Sequence, residues 1–352
     1  MKRKIRILSI DGGGIRGIIP GMILVSLEKK LQEKTGNPNA RIPDFFDFVA
    51  GTSTGGILGC ALFYPESAGG TKARYQAMDA VNLYLKNGSM IFKRTFWHNV
   101  KSLWGILSYK FPTTNLEKAL EQYLGEERLS SLLKPSAISS YYIADAQPFF
   151  FKQHLAKKDM DYDYLIKDVA RGTSAAPTYF ESADVKSLAN NTYTLIDGGV
   201  YVNNPALCAY AETRTMTFEQ LCPEVGDELK AKRPTADDMV IFSLGTASSA
   251  QKYSYKEIKN WGIVSWIKPL IGVMMSGVSQ NVDYQLREIF KTTPTPHHYL
   301  RIEPNIYSAN PAMDDGSPGN LQKLKEAGEK NAQVYDRELD RMADLLIENN
   351  GK

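Results

Sequence analysis

Residues 51–56 are Gly51-Thr52-Ser53-Thr54-Gly55-Gly56 and contain a G-x-S-x-G pentapeptide. An apolar run precedes them and another follows, which predicts a strand, a tight turn and then a helix. Small residues such as Gly51 and Gly55 allow strained backbone angles in such a turn, so the Ser53 hydroxyl would lie at the tip of a sharp elbow. The pattern favours a nucleophilic serine, and the alternative is a serine that only caps the next helix.

A second glycine turn lies nearer the amino terminus. Residues 5–10 are short, rich in β-branched side chains and followed by Asp11-Gly12-Gly13-Gly14, which predicts a buried strand that ends in a loop. Apolar residues then recur at helical spacing. Backbone N–H groups of a glycine loop, at the positive end of a helix dipole, suit an oxyanion or a phosphate. We therefore expect Gly12, Gly13 and Gly14 to form an oxyanion hole, with Arg16 adding charge or orienting the loop.

The same loop has a second interpretation, because Gly12 to Gly17 also match the dinucleotide fingerprint G-x-G-x-x-G. A Rossmann unit needs an acidic residue at the end of a second strand about 20 residues later. This sequence has a polar loop at residues 35–39 there, and Glu33 lies in a helical run. The interpretation predicts a non-enzymatic module that binds NAD or NADP tightly and has no esterase activity.

The two glycine turns together predict the fold class. Two successive βα units, each with a turn at the carboxyl end of its strand, indicate an α/β fold with a mostly parallel central sheet and helices on both faces. Further strands are predicted at residues 139–146, 193–196 and 239–244, and a helix at 319–349. Ligands of such sheets bind outside the carboxyl ends of the strands, where both glycine turns would meet.

A nucleophilic serine also needs a base to accept its proton. The histidines are His98, His154, His297 and His298, and none lies in a glycine turn after a predicted strand. His298 comes late enough to complete a Ser53-Asp197-His298 triad. The other candidate is Asp197 itself, in an Asp-Gly-Gly turn after a strand. A carboxylate must be desolvated and within about 3 Å of the hydroxyl to serve, so the residues alone leave both bases open.

Composition limits the partners and the compartment. A net charge of +3 is too mild to indicate a nucleic acid polymer. The three cysteines form no CxxC pair, the apolar run after the basic start is too short for a secretory signal, and no run is long enough for a membrane span. The expected location is therefore the cytoplasm.

Two later stretches are unusual in charge. Residues 80–116 contain five lysine or arginine residues, seven aromatic residues and no acidic one, so the region of about 80–135 is predicted to be a cap-like insertion. Its aromatic side chains either pack inward or accompany a surface for anionic phosphate groups. Residues 259–282 also lack acidic residues. We expect Trp261 and Trp266 to be buried rather than to form an interfacial patch, and Pro269 to interrupt this stretch.

Three motifs in order, at residues 11–17, 51–56 and 197–199, resemble those of the patatin-like phospholipases. Residues 174–177 and 242–246 are also similar to family blocks, so the resemblance spans about residues 5–250. It implies a three-layer sandwich in a single domain of residues 1–352, in which the role of about 250–352 is not recognised. It also implies a Ser53-Asp197 dyad without histidine, an oxyanion site at the glycine loop and Arg16, and lipid acyl hydrolysis without a metal or cofactor.

The resemblance extends to regulation. Some bacterial members of this family are similar to this chain in size and degrade membranes in antiphage defence when a cyclic nucleotide activates them. This implies a cytoplasmic enzyme with peripheral contact to the inner face of the membrane, phospholipid as substrate and a cyclic dinucleotide as activator. The acyl position, the head group and the oligomeric state stay open.

Overall fold

The structure, a computed structural model, describes residues 3–93, 109–247 and 253–350. In this part of the chain, eight strands form one sheet. The strands are β1 (Ile5–Ile10), β2 (Phe48–Thr52), β3 (Ser136–Tyr142), β4 (Gln147–Lys152), β5 (Ala183–Lys186), β6 (Thr192–Asp197), β7 (Met239–Leu244) and β8 (Tyr299–Ile302).

Helices lie between and after the strands. The longer ones are α1 (Ile18–Thr35), α2 (Thr54–Leu62), α3 (Ala77–Ile91), α4 (Thr114–Leu124), α5 (Ile166–Thr173), α6 (Ala206–Thr215), α7 (Ile263–Lys291), α8 (Pro318–Val334) and α9 (Asp336–Glu348). Four-residue helices occur at Gln153–Ala156, Phe218–Leu221, Asp227–Lys230 and Tyr255–Ile258.

The central sheet is mostly parallel, which confirms the predicted fold class. Its order is β5-β6-β3-β2-β1-β7-β8, with β4 paired to β3 outside this path. The pairs β1–β2, β1–β7, β2–β3 and β7–β8 are parallel. The pairs made by β4, β5 and β6 are antiparallel. The parallel core therefore carries both glycine turns at one end of the sheet, as the two βα units predict.

Helices cover both faces of the sheet because β1 is apolar on both sides. Ile5 and Ile7 belong to one buried cluster, while Leu8 and Ile10 belong to another. The alternation follows from the two-residue repeat of a strand. The first cluster includes residues of α6 and of the second half of α7, and the second includes residues of α1, α2, α3 and α8. The architecture is a three-layer sandwich.

Strand β3 determines how the two catalytic candidates meet. Strand β4 pairs with β3 over its whole length, so β2 and β6 must share the opposite edge of β3. Thr52, the last residue of β2, pairs with Ser139, and Asp197, the last residue of β6, pairs with Ser140. Because β2 is parallel and β6 antiparallel to β3, the carboxyl ends of β2 and β6 face each other along one edge.

The carboxyl-terminal region belongs to the same core. Strand β8 extends the sheet beside β7, and α8 and α9 both pack against α1. Two sequence predictions for this region are wrong. Helix α7 continues through Pro269, since a proline removes one backbone hydrogen bond without forbidding a helix. Trp266 is 37% exposed, because α7 reaches the core with its later residues, such as Leu286 and Phe290.

Candidate active site

Ser53 lies between β2 and α2 in a strained backbone conformation. Its φ of 53° and ψ of −122° are unusual for a residue with a side chain. The Ser53 N–H donates to Thr173 Oγ1 at 2.8 Å, and that hydroxyl donates to the Ser139 carbonyl at 2.6 Å. Thr173, at the end of α5, therefore fixes the elbow to β3. The sequence motifs gave no indication of a role for Thr173.

The glycines of the elbow let α2 approach the first strand. A Cβ atom on Gly55 would lie 2.1 Å from the Ile10 carbonyl oxygen, and one on Gly51 would lie 2.4 Å from the Gly55 carbonyl oxygen. Both distances are far below van der Waals contact. Because only glycine fits at these positions, the first turn of α2 can lie directly behind Ser53.

Asp197 ends β6 and is buried beside Ser53. Its side chain accepts a hydrogen bond from the Gly199 N–H at 2.7 Å. Burial raises the pKa of Asp197 to about 6, and the neighbouring Ser53 hydroxyl and the Gly199 N–H oppose that rise because they stabilise the ionised carboxylate. The carboxylate is therefore ionised at neutral pH and desolvated. An ionised and desolvated carboxylate is the form that can accept a proton from a neighbouring serine.

The glycine loop follows β1 and lies against the same site. Gly14 has a φ of +60°, and a Cβ atom there would lie 2.3 Å from the Met313 carbonyl oxygen. The Gly12 N–H donates to the Asn203 carbonyl at 3.1 Å. Gly12 therefore holds the loop in place and does not fit its predicted role as an oxyanion donor. Between residues 3 and 350, leaving out the undescribed segments, the N–H groups of Gly13 and Gly14 donate to no other group.

Arg16 holds the loop from behind. Its Nε donates to the Gly13 carbonyl at 3.2 Å and its Nη1 to the Ala247 carbonyl at 2.7 Å. Burial lowers the pKa of Arg16 to about 10, so it stays charged. Of the two predicted roles, orienting the loop fits these contacts, because the guanidinium is committed to backbone carbonyls.

An apolar cavity of about 230 Å³, here called the Ser53 pocket, opens in front of the loop. Ser53, Asp197, Gly13 and Gly14 all line it. The rest of its wall is mainly aliphatic and aromatic, including Ile57, Leu83, Ile91, Phe92, Leu116, Tyr179, Phe180, Val200, Met274, Met275 and Met313. The reactive groups therefore face a space that suits a hydrocarbon chain.

A second cavity, about 290 Å³ and here called the charged cavity, lies behind the loop. Its wall includes Asp11 and Arg301, which form a two-pronged ion pair at 2.7 and 3.1 Å. Arg301 also donates to Ser243 Oγ at 2.9 Å and pairs with Glu303 at 2.6 Å. Asp11 is the residue immediately before the glycines, so β8 anchors the start of the loop.

Comparison with known proteins identifies the family of this chain. The family described as Patatin-like phospholipase matches residues 8–210, more than half of the chain. The chain belongs to the patatin-like phospholipase family. It is accordingly a lipid acyl hydrolase. The recognition drawn from the three motifs is confirmed at the level of the family.

Plant relatives extend the match beyond that range. Patatin-like protein 1 of Arabidopsis thaliana is 35% identical, with 93% of this chain and 81% of that protein covered. Patatin-like protein 2 of Oryza sativa subsp. japonica is 33% identical, with 98% and 89% covered. Patatin-T5 of Solanum tuberosum is 31% identical, with 97% and 89% covered. The similarity therefore reaches past residue 250, where the motif resemblance ends.

The histidine alternative does not survive in this patatin-like fold. His298 precedes β8, and its Nδ1 lies 3.1 Å from Lys4 Nζ, just before β1. This is the amino end of the parallel strands, opposite to Ser53. Burial and the Lys4 charge lower the pKa of His298 to about 4. The predicted Ser53-Asp197-His298 triad is therefore wrong. His154 pairs with Glu212 at 2.9 Å, and His98 lies outside the described residues.

The dinucleotide alternative is also wrong for this loop. A Rossmann fold has its ribose-binding acid at the end of the second strand, and here β2 leads directly into Ser53. The Gly12 N–H is occupied by Asn203, and the Ile15 N–H donates to the Met313 carbonyl at 2.9 Å. The glycine motif therefore serves the serine site.

The described part of the cap-like insertion packs toward the Ser53 pocket. Phe92, Phe111 and Phe180 form a cluster with ring centroids 5.5 to 5.9 Å apart. Lys110 pairs with Asp314. Residues 94–108, which carry much of the basic and aromatic character of the insertion, lie outside the described residues. The inward packing that was one of two predictions is found at these described positions.

Proposed function

We propose that this patatin-like enzyme hydrolyses acyl esters of membrane phospholipids through a Ser53-Asp197 dyad and an acyl-enzyme on Ser53. One observation carries the proposal. The Ser53 hydroxyl lies beside the buried carboxylate of Asp197 and stabilises its ionised form, and both residues line one pocket with an apolar wall. This arrangement gives the serine a base at the place where a lipid chain fits.

Acylation follows from the positions of these groups. Asp197 accepts the Ser53 proton while Ser53 Oγ attacks the ester carbonyl carbon. The carbonyl oxygen becomes negative, and we assign the N–H groups of Gly13 and Gly14, in the wall of the same pocket, as its donors. Losing one such donor typically costs about 3 kcal/mol of transition-state stabilisation. When the carbon–oxygen bond of the ester breaks, Asp197 returns the proton to the leaving alcohol.

Deacylation reverses the roles with water. Asp197 takes a proton from a water molecule, the hydroxide attacks the acyl carbon, and the bond to Ser53 Oγ breaks as Ser53 regains the proton. The products are a fatty acid and the free enzyme. A single carboxylate is enough for both halves because it is regenerated in its ionised form after each proton transfer.

The pocket supports a long acyl chain as the group that is transferred. Its wall combines helix α2, the start of the cap-like insertion and α7, and most of its lining side chains are apolar. Val200 and Met274 line the pocket and are also exposed, at 39% and 53%. An acyl chain could therefore enter from a lipid surface without crossing a polar barrier.

Fluorophosphonate labelling tests the nucleophile. The wild-type protein should be labelled on Ser53, and Ser53→Ala should not be labelled. Ser174→Ala is a matched control, because Ser174 is equally buried in the same pocket wall but donates to the Ala170 carbonyl at 2.7 Å. Labelling on another residue, or undiminished labelling of Ser53→Ala, would contradict the proposal. Release of fatty acid from phospholipid vesicles by the same proteins tests the substrate class.

Activation by a cyclic dinucleotide, and with it a role in antiphage defence at the cytoplasmic face of the membrane, stays a prediction from the family resemblance. Among the described residues, no helix has the length and apolar composition needed to cross a bilayer. Hydrolysis of vesicles with and without a panel of cyclic dinucleotides tests the activator. Stimulation by one compound supports it, and an unchanged rate with every compound removes it.

A further inference from the structure

Helix α7 carries a row of exposed apolar side chains that have no role in the proposed reaction steps. Trp266, Leu270 and Val273 follow one another at helical spacing, so they lie on one side of the helix. They are exposed by 37%, 46% and 49%, and Met274 beside them by 53%. These four residues are here called the apolar face. A cluster of large exposed apolar side chains on a helix commonly marks a site of interaction.

The apolar face is continuous with the Ser53 pocket. Met274 belongs to both, since it is exposed and also lines the pocket. Met275, the next residue of the helix, lines the pocket as well, and its Cε lies 3.5 Å from where a Cβ on Gly199 would be. Gly199 is the residue that holds Asp197. The outer surface of α7 thus leads to the catalytic pair without a change from apolar to polar character.

Charge and aromatic content indicate what covers this face. Residues 259–282 contain no aspartate or glutamate, so nothing on this segment repels an anionic surface. The Trp266 ring is held by Trp261 at 5.3 Å, and Trp261 by Tyr253 at 4.9 Å. Tryptophan and tyrosine are the side chains that favour the boundary between lipid and water.

We propose that the apolar face of α7 docks the enzyme on the surface of an anionic phospholipid bilayer, with the Ser53 pocket opening toward the lipid. The inference rests on the proposed lipid substrate of that pocket. Docking inserts Trp266, Leu270 and Val273 among the head groups, in the manner of an amphipathic helix that lies in the interface. An acyl chain then passes over Met274 into the pocket.

The double variant Leu270→Asp/Val273→Asp tests this surface, because neither residue lines the Ser53 pocket and both are exposed. Binding is measured by sedimentation with vesicles of ether-linked phosphatidylethanolamine and phosphatidylglycerol, which cannot be hydrolysed. We expect vesicle affinity to fall about tenfold or more, since apolar contact is lost and negative charge is added. Val334→Asp, an exposed valine on α8, should bind vesicles like the wild type.

Two further readouts separate the outcomes. Hydrolysis of a water-soluble short-chain ester by the double variant should stay within about twofold of wild type, because neither substituted residue lines the pocket. Loss of that activity together with vesicle binding would indicate misfolding, which circular dichroism checks. Unchanged vesicle affinity overturns the docking surface, as does a shift in oligomeric state without a change in vesicle binding, which would assign the face to a second copy of the chain. If the wild type binds vesicles but hydrolyses no ester, the proposed function is contradicted. The effect of the double variant on vesicle binding then still tests the docking surface.

Discussion

The two sides of the glycine loop differ in how their polar groups are used. On the side of the Ser53 pocket, Gly13 and Gly14 line the wall together with Ser53 and Asp197, and the described residues leave their N–H groups unoccupied. On the side of the charged cavity, the loop is fully engaged. Arg16 holds the Gly13 carbonyl, and Thr246 donates to the Gly12 carbonyl at 2.6 Å. The loop offers donors on one side because its acceptors are held on the other.

This difference separates chemistry from support. An oxyanion site stabilises charge best when its donors need not move during the reaction. Peptide groups of glycine are flexible, so rigidity has to come from contacts behind them. Residues late in the chain, such as Thr246 and Arg301, supply those contacts. Substitutions on the front side of the loop, toward the Ser53 pocket, should therefore remove activity without lowering stability. Substitutions on the rear side, toward the charged cavity, should lower both activity and stability.

The largest effect is expected from Ser53→Ala on the front side. Removing the nucleophile should lower kcat/KM for phospholipid by about 10⁴-fold or more. The melting temperature should stay close to that of the wild type, because the Ser53 N–H still donates to Thr173. Steady-state hydrolysis and thermal unfolding provide the two measurements. Retention of more than a few per cent of the activity would mean that another nucleophile operates.

Asp197→Asn should lower kcat by about 10² to 10⁴-fold, the usual contribution of a general base. The same variant should be more stable at neutral pH by about 1–2 kcal/mol, since a buried charge is removed and the Gly199 N–H keeps its acceptor.

Denaturant unfolding at pH 7 measures that gain. His298→Ala serves as the control for the base, and it should keep wild-type activity. An inactive His298→Ala with an active Asp197→Asn would reverse the assignment.

Arg301→Gln tests the rear side. It leaves Asp11 buried without its partner, so we expect about 3 kcal/mol lower stability together with a kcat about 10- to 100-fold lower and a nearly unchanged KM. Asp11→Asn combined with Arg301→Gln should recover much of the stability. Arg287→Gln is the matched control, because Arg287 lines the same cavity but is half exposed and bonded to Asp283. A stability loss with unchanged kcat would show that Arg301 supports the fold and does not position the loop.

The smallest effect is a pH dependence of the front side. The pKa of Asp197 is raised to about 6, so the ionised base is lost as pH falls through that value. Between pH 7 and pH 5, kcat/KM on a soluble ester should drop about tenfold. Protonation of Asp197 has the opposite effect on the free energy of unfolding. Because its pKa is raised in the folded state, the folded state binds this proton more tightly than the unfolded state does. This contribution to stability is present below pH 4 and disappears as pH rises through 6. A flat rate profile over this range would contradict the assignment of Asp197 as base.

The sequence predicts the parts of this site that depend on local pattern. The Ser53 elbow, the glycine loop after β1 and the turn at Asp197 follow from short motifs next to strands, and the parallel core follows from two βα units. Contacts between distant segments leave no such pattern. Nothing near Arg301 indicates a partner at Asp11, and nothing near Asn203 indicates that its carbonyl occupies the Gly12 N–H.

The burial of individual side chains was the other property that the sequence did not predict. The aromatic residues of 259–282 suit a core as well as an exposed helix, and only the placement of α7 against the sheet separates the two. Trp266 is exposed because α7 is anchored at its far end, by Leu286 and Phe290. Likewise, the predicted single helix at 319–349 is two helices that break at Tyr335. Apolar spacing is helical in both parts, so it does not reveal the break.

Strand β3 sets the distance between the nucleophile and the base, because β2 and β6 pair along the same edge of this strand. Thr52 and Asp197 pair with the neighbouring residues Ser139 and Ser140, so the step between two adjacent residues of one strand sets the separation of nucleophile and base. The segments that connect β2 to β3 and β3 to β6 do not enter that measurement. Insertions there can change how a member of the family meets its substrate while the catalytic distance stays constant. A single residue inserted into β3 between Ser139 and Ser140 would instead separate the pair by about 3.3 Å, the rise of one residue in a strand.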